Sequence, residues 1–403
     1  MNAAVTFAPE LPIPAVAASS GARSALRFTV DGDPALENHL AHVCALVRTG
    51  VRRLLGRRAV EGVLLGGGYG RGEGGVLRTP AGDRPYNDLE FYVLLRGSAV
   101  LNEIRWGRAL AALGHELSAA AGVEVEFKVL SRCALRRGTV SMFSYDLVAG
   151  HRWVCGHETL LEGCAHHGEG AAIPLAEATR LLMNRCSGLL FARERLDAAR
   201  FGPEDADFVA RNLAKARLAL GDAVLAVFGR YHWSCRERAR RLSDLPASRR
   251  MPWLEAVRAA HADGVAFKLH PALTRRGADE LAADLAALAQ LASRVWLWVE
   301  SRRLGVNFAS PLEYALHPAA LCPETAPARN VLVNLRRFGW RGLAAGATRY
   351  PRERLLRALP VLLWHPAAAG EPPLQARLQR WLRCGGTAGG CGRAYRALWE
   401  VLR

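Results

Sequence analysis

Between Leu64 and Glu73 an apolar run breaks into glycine, Leu64-Leu65-Gly66-Gly67-Gly68-Tyr69-Gly70-Arg71-Gly72-Glu73, and an acidic strand follows, Asn87-Asp88-Leu89-Glu90-Phe91-Tyr92-Val93-Leu94-Leu95. Glycine at this density ends the first strand in a tight turn, where backbone N–H groups can approach an anion without interference from Cβ atoms. A helix starting at such a turn adds its positive end. Asp88 and Glu90 stand two residues apart, so on a strand they point to one face with Cα atoms about 7 Å apart. Carboxylates so placed can converge on hard cations that take oxygen ligands. An acid-x-acid strand also suits a solvated sheet face; the glycine turn upstream and a third acidic strand downstream favour a site for metal-assisted phosphoryl transfer.

That downstream segment, Val123-Glu124-Val125-Glu126-Phe127-Lys128-Val129-Leu130, alternates as a half-buried strand does. Glu124, Glu126 and Lys128 share a face, so periodicity leaves Glu124 and Glu126 both open as the third acid. Before the first strand, Val63 to Leu65, apolar residues at Leu36, Leu40, Val43, Val47 and Val51 predict a helix within Pro34 to Arg58. Residues 74–86 carry turn chemistry, a helix is expected from Leu101 to Ala121, a strand from Phe143 to Val148, and another near Trp153. Residues 1–26, rich in Ala, Pro and Ser without periodicity, have the composition of a flexible tail. Beyond Pro174 the pattern is helical, with segments Ala176 to Ala199, Pro203 to Tyr231 and Ala278 to Arg303. Pro203 with Glu204 and Asp205 makes a favourable helix start.

The turn and the acid strands resemble those of the polymerase-β-like nucleotidyltransferases, whose pattern is a Gly-Gly or Gly-Ser turn, an acid-x-acid strand and a third acid on a later strand. Gly67-Gly68-Tyr69-Gly70-Arg71-Gly72-Glu73 is particularly similar to the turn of bacterial protein-PII uridylyltransferases. The resemblance covers residues 27–168. It implies an α+β fold: a nucleotidyltransferase domain with a short mixed β-sheet flanked by helices, then an all-α region, 169–403, closing the cleft. It implies that Asp88, Glu90 and Glu126 hold two Mg²⁺ or Mn²⁺ ions, Glu126 being preferred because Val125-Glu126-Phe127-Lys128 matches the order of the third-acid strand. Gly67, Gly68 and Arg71 would contact the phosphates of a nucleoside triphosphate, with Lys128 beside the third acid and Lys215, accompanied by Asn212, reaching in from the helical region. Glu73 would brace the turn. The sequence departs from the family at Gly68, where a hydroxyl residue is common, at Glu90, where aspartate is commoner, and in the long spacing from Gly68 to Asp88, which implies an insertion near the triphosphate.

The implied reaction is transfer of a nucleoside monophosphate to an acceptor hydroxyl with release of pyrophosphate. A small-molecule acceptor is expected first, because the helical region resembles the accessory domains of small-molecule nucleotidyltransferases; a protein or an RNA end comes next, and an inactive NTP-binding regulator is the rival of another class. The formal charge of +17 could signal nucleic acid, yet only Lys128, Lys215 and Lys268 are lysines and the arginines are dispersed through amphipathic segments, as codon bias would leave them. No apolar run reaches the length of a membrane span and nine scattered cysteines do not form a disulfide framework, so a cytoplasmic protein with reduced thiols is expected, without a membrane partner. The His and Cys residues from His151 to His167 lack the spacing of a familiar zinc site. No Walker lysine, Gly-x-Ser-x-Gly elbow or dinucleotide fingerprint competes with the glycine turn.

Overall fold

Asp33 opens the first helix, α1 (Pro34–Leu55), by accepting a 2.8 Å hydrogen bond from the Leu36 amide, and Pro34 presets the helical φ of the first turn. The stripe Leu36, Leu40, Val43, Val47 and Val51 is at most 2% exposed, as its spacing predicts. In the computed structural model, which describes residues 27–56, 59–343, 346–384 and 388–402, the chain continues through β1 (Val60–Leu65), α2 (Gly67–Gly70), β2 (Val76–Thr79), β3 (Gly82–Pro85), β4 (Leu89–Leu95), α3 (Ala99–Ala121), β5 (Val125–Ser131), α4 (Arg132–Arg137), α5 (Met142–Ala149) and β6 (Arg152–Gly156). The tail expected over residues 1–26 lies outside the described residues.

The described regular structure after β6 is helical: α6 (Leu175–Leu196), α7 (Pro203–Val227), α8 (Cys235–Ser243), α9 (Leu254–Leu269), α10 (Ala278–Leu304), α11 (Pro311–Leu316), α12 (Pro327–Phe338), α13 (Glu353–Trp364), α14 (Pro372–Leu382) and α15 (Ala388–Leu402), with short 3₁₀ turns between some of them. The fold is α+β, with a small mixed sheet and a helical C-terminal region. No helix among the described residues is long and apolar enough to cross a membrane.

The sheet order is β5-β4-β1-β6; β4 and β5 are parallel, joined through α3, and β1 runs antiparallel to β4 and β6. Alternation along β4 assigns its side chains to two layers. Leu89, Phe91, Val93 and Leu95 enter the core beneath α1 and α3, whereas Tyr92 and Leu94 meet Leu64, Leu147 and Leu160 on the opposite face. Glu90 shares that second face, as Glu126 and Lys128 do with Leu130 on β5, which is what puts the acids outside the main core.

Two local expectations are corrected. Phe143 to Val148 is not a strand but part of α5: Ser141 Oγ accepts from the Ser144 amide at 3.0 Å, Ser144 Oγ accepts from the Ser141 amide at 2.9 Å, and this reciprocal cap starts a helix. Met142 and Tyr145 of α5 then join the core of the helical region, while Leu147 packs under the sheet. The 74–86 segment is not an irregular loop but a hairpin of β2 and β3, with Val76 opposite Pro85 and Thr79 opposite Gly82. It is tied to the start of α1, where the Asp33 amide donates to Asp83 at 2.8 Å and the Asp83 amide donates back to Asp33 at 3.1 Å.

Candidate active site

Gly66 leaves β1 with its amide still bonded to the Glu90 carbonyl at 2.9 Å, so the glycine turn is registered directly against the acidic strand. Gly67 takes φ +61°, and a Cβ there would lie 3.2 Å from Glu90 Oε2. Gly68 is close to the Glu73 carbonyl and Gly70 to the Leu65 carbonyl, both of them backbone atoms that cannot rotate away. Tyr69, 1% exposed, pins the exit of the turn: its hydroxyl donates to the Gly75 carbonyl at 2.8 Å and accepts from the Tyr86 amide at 2.9 Å. Gly70→Ala is therefore expected to cost about 1–3 kcal/mol of stability through overpacking, as measured by urea unfolding. A variant as stable as the parent would show that the turn is looser than described.

Glu90 and Glu126 are register partners on the parallel strands β4 and β5, and Asp88 precedes β4 by one residue. One carboxylate oxygen from each of the three lies within 4.8 Å of the other two, and among the described residues this is the group of acids, histidines or cysteines that could hold a metal ion. Partial burial, and then the neighbouring Glu90 and Glu126, push the Asp88 carboxyl above its ordinary pKa. Like charges gathered this closely leave a deficit that a divalent cation with oxygen ligands fits. Glu124 lines the adjoining cleft but is not in the cluster, because it precedes β5 and falls out of register with Glu90. Glu126 is the third acid that the fold brings in.

Lys128 stands beside the third acid. Its ammonium lies 2.8 Å from Glu90 and 3.4 Å from Glu126, half-exposed, where it offsets part of the cluster's negative charge. Tyr92 donates its hydroxyl to the other Glu90 oxygen at 3.2 Å.

Arg71 is corrected outright. Instead of facing the cleft, its side chain is 9% exposed and paired with Asp146 of α5 at 2.7 Å. Asp146 accepts from Tyr231, Tyr231 accepts from Arg238 at 3.1 Å, and Arg238 pairs with the buried Asp222 at 2.7 Å, to which His261 is also bonded at 3.0 Å. Arg71 thus ties the turn to the helical region rather than offering a guanidinium to phosphate. Glu73 braces the turn, as expected, but through a distant partner: it accepts from Ser234 Oγ at 2.5 Å and the Cys235 amide at 2.8 Å, at the N-terminus of α8. Burial pushes its pKa up, and these bonds more than offset that, holding it below the ordinary glutamate value.

Opposite the acids, α6, α7 and α9 form the other wall of a cleft of about 630 Å³. Arg185, Arg211, Lys215 and Lys268 line it, facing Asp88 and Glu124. Loss of water, followed by the nearness of Arg185, lowers the Lys215 pKa; loss of water and then Arg71 lower that of Lys268. Arg185, Lys215 and Lys268 make no hydrogen bond or ion pair with any described residue. Asn212 is turned elsewhere, donating to the Phe208 carbonyl within its own helix at 2.9 Å and lying against Gly188. Tyr86 and Phe267, edge to face with centroids 6.1 Å apart, give the cleft an aromatic side. Arg185, Phe267 and Lys268 were not singled out from the sequence, although lysine scarcity was a usable signal: Lys128 lies among the acids and the two other lysines line the cleft. Comparison of this chain with protein families, curated proteins and solved structures gives no match.

Proposed function

We propose that this protein is a metal-dependent nucleotidyltransferase of the polymerase-β-like kind, moving a nucleoside monophosphate from an NTP to the hydroxyl of a small-molecule acceptor. The observation that carries this reading is the meeting of three carboxylates beside Gly67, one of which, Asp88, faces the unpaired Arg185, Lys215 and Lys268 across the cleft. Asp88, Glu90 and Glu126 would hold two Mg²⁺ or Mn²⁺ ions. Bound there, such ions neutralise the triphosphate and lower the pKa of the attacking hydroxyl.

The residues of the chain divide the remaining work. Backbone amides at Gly67 and Gly68 offer donors to phosphate oxygens without side-chain interference. Lys215, Arg185 and Lys268 supply positive charge for the pyrophosphate as it departs. A Glu126 carboxylate oxygen is available to take the acceptor's proton as the new O–P bond forms at the α-phosphorus and the bond to the β-phosphate oxygen breaks. The aromatic pair Tyr86 and Phe267 suits a base or an apolar part of the acceptor. A cleft of about 630 Å³ is the size of small-molecule sites, which favours that acceptor over a protein or an RNA end.

The test is incubation with each α-labelled NTP, Mg²⁺ or Mn²⁺ and a fractionated cell extract. Label is expected in a small-molecule fraction with release of pyrophosphate, and Lys215→Ala is expected to raise the NTP KM about tenfold or more, as loss of one charged contact does. Label transferred equally well from γ-labelled NTP would point to a kinase and end the proposal. A second reading, a nucleotide-binding regulator without transfer, is favoured by the 2.8 Å Lys128–Glu90 pair, which already satisfies part of the acidic cluster. NTP binding that persists with no pyrophosphate released from any fraction would select it.

A further inference from the structure

In the C-terminal part of the helical region, arginines gather around a single lining carboxylate, Glu353. The C-terminal end of α11, residues 346–350, the first turns of α13, and α14 enclose a cup of about 500 Å³ lined by Arg349, Arg354, Arg357, Arg377, Arg380 and Arg383. Glu353 is the carboxylate of the lining, and it is already consumed: 2% exposed, it is paired with Arg349 at 2.7 Å and Arg357 at 2.8 Å. Arg357 spends its remaining donors on the carbonyls of Ala315, His317 and Ala319, so this pair is a structural floor.

The rim is different. Arg377 and Arg380 lie three residues apart on α14, exposed and on one side of the helix, and make no hydrogen bond or ion pair with any described residue. Arg354 and Arg383 both stack on Phe338, at 5.1 and 6.0 Å, bringing two guanidinium groups to one ring. Burial, and then Arg383, press the Arg354 pKa down to about 10, so it stays charged at neutral pH among like charges. Arg303, by contrast, is a buried guanidinium matched by acids, Glu300 and Glu324. Unbalanced positive charge in a concave site is relieved by an anion, and guanidinium forks match phosphate oxygens in pairs. Tyr350 and Trp381 add ring surfaces to the same lining.

We propose that this cup is a second ligand site, separate from the cleft and independent of how the cleft is read, which binds a compact polyphosphate-bearing small molecule. Its concave shape and limited size, about 500 Å³, fit a small anion better than the extended track that a nucleic acid follows. The test is calorimetric titration of the full chain with sodium tripolyphosphate and with ATP, both in EDTA so that the acidic cluster holds no divalent ion. The Arg377→Ala/Arg380→Ala variant is expected to bind both probes about tenfold or more weakly, with unchanged thermal unfolding because both side chains are exposed and unpaired. Lys215→Ala/Lys268→Ala, altered only in the cleft, is expected to retain this binding. ATP binding more tightly than tripolyphosphate would assign a nucleotide, and equal affinity would assign the polyphosphate group alone; both uphold the site. Equal binding by the parent and the Arg377/Arg380 variant, or binding of single-stranded RNA with neither small anion bound, would overturn it.

Discussion

Asp88→Asn is expected to lower the proposed nucleotidyl transfer by about a thousandfold or more, the scale on which loss of one preorganised charge-stabilising group acts, without lowering stability. Burial and the adjacent Glu90 and Glu126 raise the Asp88 pKa, so the folded state binds its proton more tightly than the unfolded state does. Above the ordinary aspartate range the ionised carboxylate therefore works against folding, and as the pH falls through that range the penalty disappears. At pH 7 in EDTA, Asp88→Asn should melt at the same temperature as the parent or higher, and the difference should vanish in acid. Divalent ions should raise the melting temperature of the parent and not of the variant, because binding to the native state alone stabilises it. Transfer that survives the substitution would remove Asp88 from the chemistry, and a marked fall in melting temperature would mean that it has a structural role.

Arg71→Ala is expected to behave in the opposite sense. The guanidinium is buried against Asp146 at 2.7 Å, and removing it leaves a carboxylate whose remaining hydrogen-bond donor is the Tyr231 hydroxyl. Breaking one side of such a pair costs about 3–5 kcal/mol when both charges are fully buried; because Asp146 is 26% exposed, the expectation here is about 2–3 kcal/mol, discounted for solvent screening. Urea unfolding should show the loss, while the KM for NTP should change little under conditions where the variant is folded. A large rise in KM at unchanged stability would restore Arg71 to phosphate binding and contradict the pairing described above.

Arg71 also shows where the sequence stops being informative. Elements set by local periodicity and capping were legible: the α1 stripe, the α7 start at Pro203 and the alternation of β5 all stand where the pattern puts them. Strand alternation put Asp88 and Glu90 on one face but left Glu124 and Glu126 both open; the register of β4 against β5, which sets Glu126 beside Glu90, decides between them. The destination of a long side chain was not. Arg71 is drawn to Asp146, seventy-five residues on, and Glu73 to Ser234, and no local pattern encodes such partners. The α5 segment misled for a related reason: Phe143 to Val148 is apolar enough for a strand, and the decision rests on two serine hydroxyls preceding and opening the helix. Lys268 was missed because α9 has a weak apolar periodicity, although the scarcity of lysine marked the position.

The Glu73 carboxylate ends the glycine turn and also begins α8, so one ion belongs to both halves of the protein. Separating the chain between β6 and α6 would take from that carboxylate its Ser234 and Cys235 donors and break the Asp146–Tyr231 contact. The C-terminal half is accordingly anchored to the sheet half through a carboxylate that both need.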